Sequence, residues 1–279
     1  SSSGPSRGCT DRPRRPEEMP FDDRVIVDSD TLLELDSIPR SLAVIGSGVI
    51  GCEYATVFAL LGTRVTIIDR REKLLRDLDA DVLDHLRHSM FAMGIRVLMP
   101  ERISGVRIET RKRHPEGVVY LESGRTVRAE RVLVAAGRVS NVESLDLDRV
   151  GIRTSESGLI KVDECFRTEA ENVHAVGDVI GFPALASTSM HQGRLAVLHA
   201  MGRPCPSTSK LPMAIYTIPE ISAVGRTEEQ CRSEGIPYEV GIARTNETPR
   251  GQIVRDEGLL KLIFRRDTRE CDEADGNCH

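Results

Sequence analysis

The sequence lacks the features of a membrane protein, a disulfide scaffold and a zinc protein. No stretch approaches the roughly 18 to 20 consecutive apolar residues that a membrane span needs, and the first residues show no apolar core of a signal peptide. The 7 cysteines among 279 residues are scattered and form no Cys-x-x-Cys pair, which argues against a disulfide framework and a structural zinc site. These absences predict a cytoplasmic protein with reduced thiols.

An excess of positive charge is also absent. The chain has 38 Lys and Arg against 43 Asp and Glu, a net charge of −5, so electrostatic binding to nucleic acid or an anionic membrane is disfavoured. One basic cluster, residues 7–15, has no apolar face and is interpreted as a disordered tail rather than a binding surface. Four histidines have no Asp or Glu arranged with them as metal ligands, and we expect them to be packed or solvated: His85, His88, His191 and His199.

Hydrophobic periodicity predicts an α/β fold. A buried strand over 41–45, an amphipathic helix over 49–61 and a β-branched strand over 65–68 make a βαβ start. Then follow a helix over 79–93 and short strands that end with a strand over 126–135, a pattern typical of a Rossmann-type domain with a β-meander. Later elements are predicted as helices over 189–201 and 228–234 and strands over 214–218, around 240 and over 259–264.

A glycine fingerprint joins the first strand to the first helix. Residues 42–51 read Leu-Ala-Val-Ile-Gly-Ser-Gly-Val-Ile-Gly. Gly46 permits a tight turn, Gly48 lets a pyrophosphate approach the backbone, and Gly51 allows close packing of helix and strand. The helix N-terminus that follows offers free N–H groups to phosphates. With Asp69 closing the next strand, this context predicts a dinucleotide site that includes Ser47, Val49 and Ile50.

The choice of nucleotide stays open from these residues. Asp69 is an acceptor for the ribose 2′-hydroxyl of NAD, whereas Arg70 and Arg71 are suited to the 2′-phosphate of NADP or are solvated loop residues. Glu53 is interpreted either as facing the nicotinamide end of the cofactor or as a surface residue of the helix.

A second set of motifs lies downstream. Ala136, Gly137 and Arg138 form a small-residue turn after a strand, where a backbone can meet a cofactor. Residues 168–178 predict a turn, a short buried strand over 173–176, and then Gly177 and Asp178 at the strand's end.

These motifs, in this order, resemble the two-dinucleotide flavoproteins of the pyridine nucleotide-disulfide oxidoreductase family. Residues 48–55, 175–186 and 215–222 are most similar to the soluble pyridine nucleotide transhydrogenases, with dihydrolipoyl dehydrogenases as close relatives. The resemblance spans about residues 20–270 and looks like an internal piece of such an enzyme.

The resemblance implies FAD, NAD and NADP as cofactors. It places Asp178 on the ribityl chain of the flavin, and Ala184, Leu185 and Ala186 at the start of a helix under the flavin's pyrimidine edge. Hydride transfer between stacked rings requires no catalytic acid or base from the protein. The cofactor-binding residues expected are Gly46, Ser47, Gly48, Val49, Ile50, Gly51, Glu53, Asp69, Arg70, Arg71, Ala136, Gly137, Arg138, Gly177, Asp178, Ala184, Leu185 and Ala186.

The resemblance also predicts the domains. They are a disordered 1–20, a residual FAD-domain segment 21–40, a Rossmann domain 41–137 that binds NAD(P), the C-terminal part of an FAD domain 138–205, a truncated α+β dimerisation domain 206–270 and an unstructured tail 271–279. The implied activity is flavin-dependent hydride transfer between NADPH and NAD⁺ by a homo-oligomer. Two alternatives are a dihydrolipoyl dehydrogenase-like oxidoreductase and a non-catalytic fragment that binds NAD(H).

Overall fold

The computed structural model of the chain describes residues 11–181, 183–205, 211–255 and 257–268 and the backbone of 271–276. Its strands are β1 (Asp11–Pro13), β2 (Ile26–Val27), β3 (Ser41–Ile45), β4 (Arg64–Ile68), β5 (Arg96–Leu98), β6 (Ile103–Arg111), β7 (His114–Leu121), β8 (Thr126–Ala129), β9 (Arg131–Val134), β10 (Arg138–Ser140), β11 (Met213–Ile215), β12 (Ile221–Gly225), β13 (Tyr238–Arg244), β14 (Leu259–Arg265) and β15 (Cys271–Gly276). Its α-helices are α1 (Val49–Leu60), α2 (Ala80–Ala92), α3 (Ala186–Ala200), α4 (Glu228–Ser233) and α5 (Pro249–Val254). No helix in these residues is long and apolar enough to cross a membrane.

The described residues divide into two compact units. The smaller unit combines 11–13 with 138–213, and the larger unit combines 14–137 with 214–276. In the smaller unit β1 pairs antiparallel with β10. Leu195 and Ala196 of α3 pack against the buried Phe166, and a second apolar cluster forms around Ile152 and Val179.

A parallel sheet with the strand order β2-β9-β3-β4-β5 forms the core of the larger unit. β3 lies in its centre, where Val44 pairs with Ile67 of β4 and with Leu133 of β9. These three side chains are fully buried or nearly so, because the strands of a parallel sheet are covered on both faces and read as continuous apolar runs. The carboxyl ends of β3, β4 and β9 therefore meet at one edge of the sheet.

Two further sheets complete the larger unit. The first is the meander β6-β7-β8, in which Gly124 turns the chain with a φ of 81° and donates its N–H to Leu121 O at 3.0 Å. The second has the order β11-β12-β15-β14-β13. The short helix α4 connects β12 to β13, and α5 lies in the connection from β13 to β14. Together with the parallel sheet, this arrangement confirms the predicted α/β fold.

A buried ionic cluster connects the second sheet to α2 within the larger unit. Lys261 on β14 is 1% exposed, and its Nζ lies 2.6 Å from both Asp79 Oδ1 and Asp81 Oδ2 and also donates to Glu228. Asp79 in addition accepts the N–H of Asp81 at the start of α2 and the N–H of Glu228 at the start of α4. The three carboxylates are close enough together to hold a cation, and the Lys261 ammonium occupies that position.

The same carboxylates set the protonation of Lys261. Burial by itself would lower the pKa of the ammonium, but the hydrogen bonds to Asp79, Asp81 and Glu228 outweigh burial and raise it. Lys261 therefore stays charged at neutral pH and neutralises part of the negative charge around it.

Two predictions about the ends of the chain need correction. Residues 1–10 lie outside the described part, but the predicted disorder does not extend to residue 20. Asp11–Pro13 form β1, and Arg15 makes 2.6 Å ion pairs with Asp23 and Asp28. The predicted unstructured tail contains β15, which lies between β12 and β14, while 277–279 lie outside the described residues. β1 pairs with the distant β10, and β15 pairs with the distant β12 and the neighbouring β14. The periodicity of these short segments does not reveal the pairings.

Three internal predictions also differ from the structure. The strand expected over 126–135 is two strands, because the chain leaves the meander at Glu130, whose N–H bonds Ser41 Oγ, and joins the parallel sheet as β9. The strand expected over 173–176 is reduced to an isolated bridge at His174, and Val173 is 39% exposed. Residues 21–40, expected to belong to an FAD domain, lie in the larger unit, where β2 pairs in parallel with β9.

We predict that Lys261→Met destabilises the fold strongly. The substitution preserves the volume of the side-chain stem but leaves the buried Asp79 without its cation, and breaking a buried ion pair costs about 3–5 kcal/mol. The free energy of unfolding from urea titration measures this loss. Lys73→Met is the control, because Lys73 pairs with Glu229 at the surface, where an ion pair contributes about 0–1 kcal/mol. Equal effects of the two substitutions would contradict a stabilising role for the cluster.

Candidate functional site

Backbone atoms occupy the space beside two glycines of the turn after β3. Gly46 has a φ of 108°, and a Cβ there would lie 2.4 Å from Ala135 O. A Cβ on Gly51 would lie 2.1 Å from Gly46 O. Neither position admits a side chain without movement of the backbone, so both glycines are required for β3, the turn and α1 to pack together.

Gly48 is different, since its missing side chain leaves open space. Among the described atoms, a Cβ there would meet Arg71 Nη2 alone, at 4.0 Å. Its φ of −76° and ψ of −175° suit any residue, so neither packing nor backbone geometry in the protein demands glycine. Gly48 precedes α1, whose first turn has no side-chain cap in the described structure. The open position and the uncapped helix N-terminus fit a bound phosphate.

A cavity of about 1100 Å³ opens at this turn. Its volume is slightly above the range of roughly 300–1,000 Å³ that is usual for ligand sites. The structure brings together ten of the residues predicted from the sequence: Gly46, Gly48, Val49, Ile50, Gly51, Asp69, Arg70, Arg71, Ala136 and Gly137 line the cavity. The site thus lies at the carboxyl ends of β3, β4 and β9, where open α/β sheets bind their ligands.

Asp69 is the anchor of the turn. Its carboxylate is 7% exposed, and Oδ2 accepts the N–H and the hydroxyl of Ser47 at 2.7 and 2.8 Å. Arg71 adds its backbone N–H at 2.9 Å to Oδ1 and its Nη2 at 2.6 Å to Oδ2. The carboxylate at the end of β4 therefore fixes the glycine turn that follows β3, and Ser47 lies behind the turn instead of lining the cavity.

These bonds keep Asp69 ionised. Burial by itself would raise the pKa of the carboxyl, but the hydrogen bonds from Arg71 and Ser47 outweigh burial and hold the pKa far below its usual range. The sequence predicts Asp69 as a ribose ligand. The structure adds that most of its acceptor capacity is already used inside the protein, by Ser47 and Arg71.

Arginines missed by the sequence reasoning also line the cavity. Arg14, Arg15, Arg76 and Arg102 line it from three separate segments and join Arg70 and Arg71. Arg14 and Arg15 lie in the stretch interpreted as a disordered tail, and the other two follow no recognisable motif. No local signal could have found them, because they converge on the cavity only after folding. The same cavity is lined by five carboxyl groups, Glu17, Glu18, Asp69, Glu101 and Glu122, so its six arginines provide local donors for an anionic ligand and only a small excess of positive charge.

Glu53 does not line the cavity. Its Oε1 accepts the N–H of Tyr216 at 2.8 Å, and Thr56 Oγ1 on the same helix accepts the N–H of Ile218 at 3.1 Å. Burial raises the pKa of Glu53, and the bond from Tyr216 opposes that shift. In this structure Glu53 joins α1 to the segment after β11.

The second predicted site lies in the smaller unit. Gly177 has a φ of 79°, and its N–H bonds the side-chain carbonyl of Gln192 on α3 at 2.7 Å. Asp178 is half-buried. Burial raises the pKa of its carboxyl, the charge of Asp11 adds to the rise, and Arg138 opposes it. Arg138 itself bonds Asp11, with its Nε 2.7 Å from Oδ2. Arg138 thus belongs to this unit, whereas Gly137 belongs to the larger one.

The start of α3 provides groups that fit a bound cofactor. Leu185 precedes the helix without a side-chain cap, and Ala184 and Ala186 are exposed beside it. Within the described residues, the buried Thr188 Oγ1 in the first turn has no hydrogen-bond partner. An uncapped helix N-terminus, an unpaired hydroxyl and the nearby Asp178 are compatible with the polar edge of a flavin.

Comparison with known families identifies the class of this chain. The model described as pyridine nucleotide-disulphide oxidoreductase matches residues 8–193, and the model of that family's dimerisation domain matches residues 211–271. The chain therefore belongs to the pyridine nucleotide-disulphide oxidoreductase family. The first match starts at residue 8, so the resemblance expected from about residue 20 begins earlier, ahead of β1.

Two individual relatives show which members of the family the chain resembles. The soluble pyridine nucleotide transhydrogenase of Mycobacterium bovis (strain BCG / Pasteur 1173P2) is 44% identical over 254 residues, which cover 90% of this chain and 53% of the relative. The enzyme of the same name from Colwellia psychrerythraea is 40% identical over 266 residues, which cover 93% and 55%. The chain thus spans about half the length of the curated relatives it matches, and the resemblance to soluble transhydrogenases is confirmed.

Solved structures agree on the fold. LpdA from Mycobacterium tuberculosis superposes with a TM-score of 0.87 and 29% identity, covering 95% of this chain and 58% of LpdA. The HOCl-induced flavoprotein disulfide reductase RclA from Escherichia coli gives a TM-score of 0.86 and 27% identity, covering 96% and 62%.

We predict that substitutions of Gly48 and Gly51 have different effects on NADH binding and on stability. Gly48→Val projects into the cavity and should weaken NADH binding at least tenfold, while the melting temperature stays within about 2 °C because a Cβ there meets no described atom closer than Arg71 Nη2 at 4.0 Å. Gly51→Val should lower both the NADH affinity and the melting temperature, since its Cβ collides with Gly46 O. Fluorescence titration with NADH and thermal unfolding measure the two quantities. Unchanged NADH affinity in Gly48→Val would contradict the assignment of the cavity.

We predict that Asp69 contributes stability that acid removes. Because its folded pKa is lowered, the contribution is complete above the unfolded pKa of about 3.9 and declines as pH falls towards the folded pKa. Asp69→Asn should cost about 1–3 kcal/mol at pH 7, and the difference from the unmodified chain should shrink below about pH 4. Urea titrations at several pH values test this, with the exposed Asp84→Asn as control. A difference that grows in acid would refute the argument.

Proposed function

We propose that the cavity of the larger unit binds a nicotinamide dinucleotide. The observation that carries the proposal is Gly48, whose missing side chain serves no packing purpose in the described structure and opens the helix N-terminus to a phosphate. The cavity volume of about 1100 Å³ and its arginines support the same ligand. The hydrogen bonds between Ser47 and Asp69 then hold the turn in the shape that receives the pyrophosphate.

We further propose that this site serves flavin-dependent hydride transfer between NADPH and NAD⁺. The names of its relatives support this reaction. Bound FAD would supply the ring that accepts and returns hydride. Asp178 would hold its ribityl chain, and Gly177 and residues 184–186 would face its polar edge from the first turn of α3. Such a transfer depends on the positions of stacked rings, so it assigns no acid or base to this chain.

The domain assignments follow from the same proposal. Residues 138–205 would belong to the flavin-binding part and 206–270 to the dimerisation part, which the family model over 211–271 supports. A homo-oligomer in the cytoplasm is the assembly we propose. A dihydrolipoyl dehydrogenase-like reaction and a non-catalytic NAD(H)-binding chain are the alternatives.

The nucleotide-binding residues give the proposal its first test. Arg70 and Arg71 both line the cavity and Arg70 is exposed, which supports the proposal that they contact a 2′-phosphate. Arg70→Ala combined with Arg71→Ala should weaken NADPH binding about tenfold or more beyond its effect on NADH, the equivalent of one charge-assisted hydrogen bond of about 1.5–3 kcal/mol, whereas NADH binding should change only through the loss of the Arg71 bonds to Asp69. Cofactor fluorescence measures both affinities.

The matched control removes two charges elsewhere. Arg87→Ala with Arg96→Ala changes exposed residues outside the cavity and should leave both affinities unchanged. Thermal unfolding of each variant detects any loss of fold, because Arg71 also neutralises Asp69. NADPH binding that is insensitive to the Arg70 and Arg71 changes would rule out their contact with a 2′-phosphate.

The visible spectrum of the purified 279-residue chain tests the flavin. A flavin absorption band near one equivalent per chain supports FAD binding, after which NADPH-dependent reduction of an NAD⁺ analogue tests the reaction. A colourless protein that binds NADH supports the non-catalytic alternative. A chain that binds neither cofactor contradicts both proposals.

A further inference from the structure

A pair of cysteines in the smaller unit lies outside both nucleotide sites. Cys165 and Cys205 are free thiols, each half-buried. They are far apart in the sequence, which therefore gave no reason to connect them. Two other cysteines, Cys52 and Cys231, are fully buried, and burial raises the pKa of Cys52 to about 12, so they are unreactive.

Cys165 is held by a tightly bonded turn. The side chain of Asp163 accepts the N–H groups of Cys165 and Arg167, both at 2.9 Å, and Asp163 O accepts the N–H of Phe166 at 3.0 Å. Phe166 adopts a φ of 64° and is 6% exposed, a conformation that a bulky residue keeps only when packing enforces it. The Phe166 ring thus fixes the neighbouring Cys165 at the surface of the unit.

Cys205 reaches this turn from the end of α3. Its Sγ lies 3.7 Å from Glu164 O, the carbonyl immediately before Cys165, and its side chain packs on the cluster around Phe166. After α3 the chain turns, and the N–H of Arg203 donates a hydrogen bond to Leu198 O at 3.0 Å. These contacts place Cys205 beside Glu164 and Phe166, the two residues that flank Cys165.

Cys205 also affects the protonation of Cys165. A hydrogen-bond interaction with Cys205 is the first cause, and burial the second, of a rise in the pKa of the Cys165 thiol to about 11. Cys165 therefore keeps its proton at neutral pH and is a weak nucleophile in its resting state.

We propose that Cys165 and Cys205 form a reversible dithiol–disulfide site that exchanges with low-molecular-weight disulfides. The Cys205 thiolate attacks a disulfide RSSR, forms a mixed disulfide and releases one thiolate RS⁻. Cys165 loses its proton, attacks the Cys205 sulfur, forms the Cys165–Cys205 bond and releases the second RS⁻. The protein loses two protons and two electrons, and RSSR becomes two thiols. The new bond would join the Asp163 turn to the end of α3.

Peptide mapping of the whole chain after incubation with oxidised glutathione tests the proposal. The remaining thiols are blocked in acid before digestion. We expect a linked peptide pair containing Cys165 and Cys205 that disappears on reduction, and its formation should speed up about tenfold from pH 7 to pH 8, because the thiolate is the reacting form. The apparent melting temperature should rise on oxidation, since the bond closes a loop in the unfolded chain.

Single variants complete the test. Cys165→Ser should stop at a glutathione adduct on Cys205, and Cys205→Ser should form no linked peptide and react more slowly. Both substitutions lie at half-exposed positions, and thermal unfolding of the reduced proteins verifies their folding. Stable glutathione adducts on both cysteines of the unmodified chain, or linkage of either cysteine to another partner instead, would overturn the proposal.

Discussion

The hydrogen bonds between Asp69 and Ser47 join two neighbouring strands at the point where the larger unit meets its ligand. Asp69 ends β4, Ser47 lies in the turn after β3, and a carboxylate that is 7% exposed accepts both the N–H and the hydroxyl of Ser47. A buried carboxylate is stable only when its charge is met by donors, and Arg71 supplies the remaining ones. The geometry of the glycine turn, and hence the opening at Gly48, depends on this ionised group.

A second buried charge plays a comparable part away from the cavity. Lys261 gathers Asp79, Asp81 and Glu228, and Asp79 also bonds the first turns of α2 and α4. One carboxylate thereby serves two helix N-termini and one ammonium. The segment that matches the family's dimerisation model is anchored in this way to the helix that follows β4, within a single compact unit.

Much of the fold could be predicted from the sequence where local patterns are strong. The strand over 41–45 and the helix from Val49 were predicted because apolar runs and glycines encode them locally. β15 was missed because its residues are polar and show no apolar alternation, although it pairs with the neighbouring β14 as well as with the distant β12. The break at Glu130 was missed because the change of sheet depends on a bond to Ser41, which is distant in the sequence. Long-range pairing leaves no periodicity to detect.

The sequence by itself determined the class of fold, the glycine turn, the carboxylate after the second strand and the family, because these depend on the order and spacing of residues along one chain. The tertiary structure decided what the side chains do. It turned Asp69 towards Ser47 and Arg71, bonded Glu53 to Tyr216, brought Arg14, Arg76 and Arg102 to one cavity and placed Cys205 beside Cys165. Most of these contacts join segments that are distant in the sequence and meet only when the chain is folded, so the spacing of residues along the chain does not reveal them.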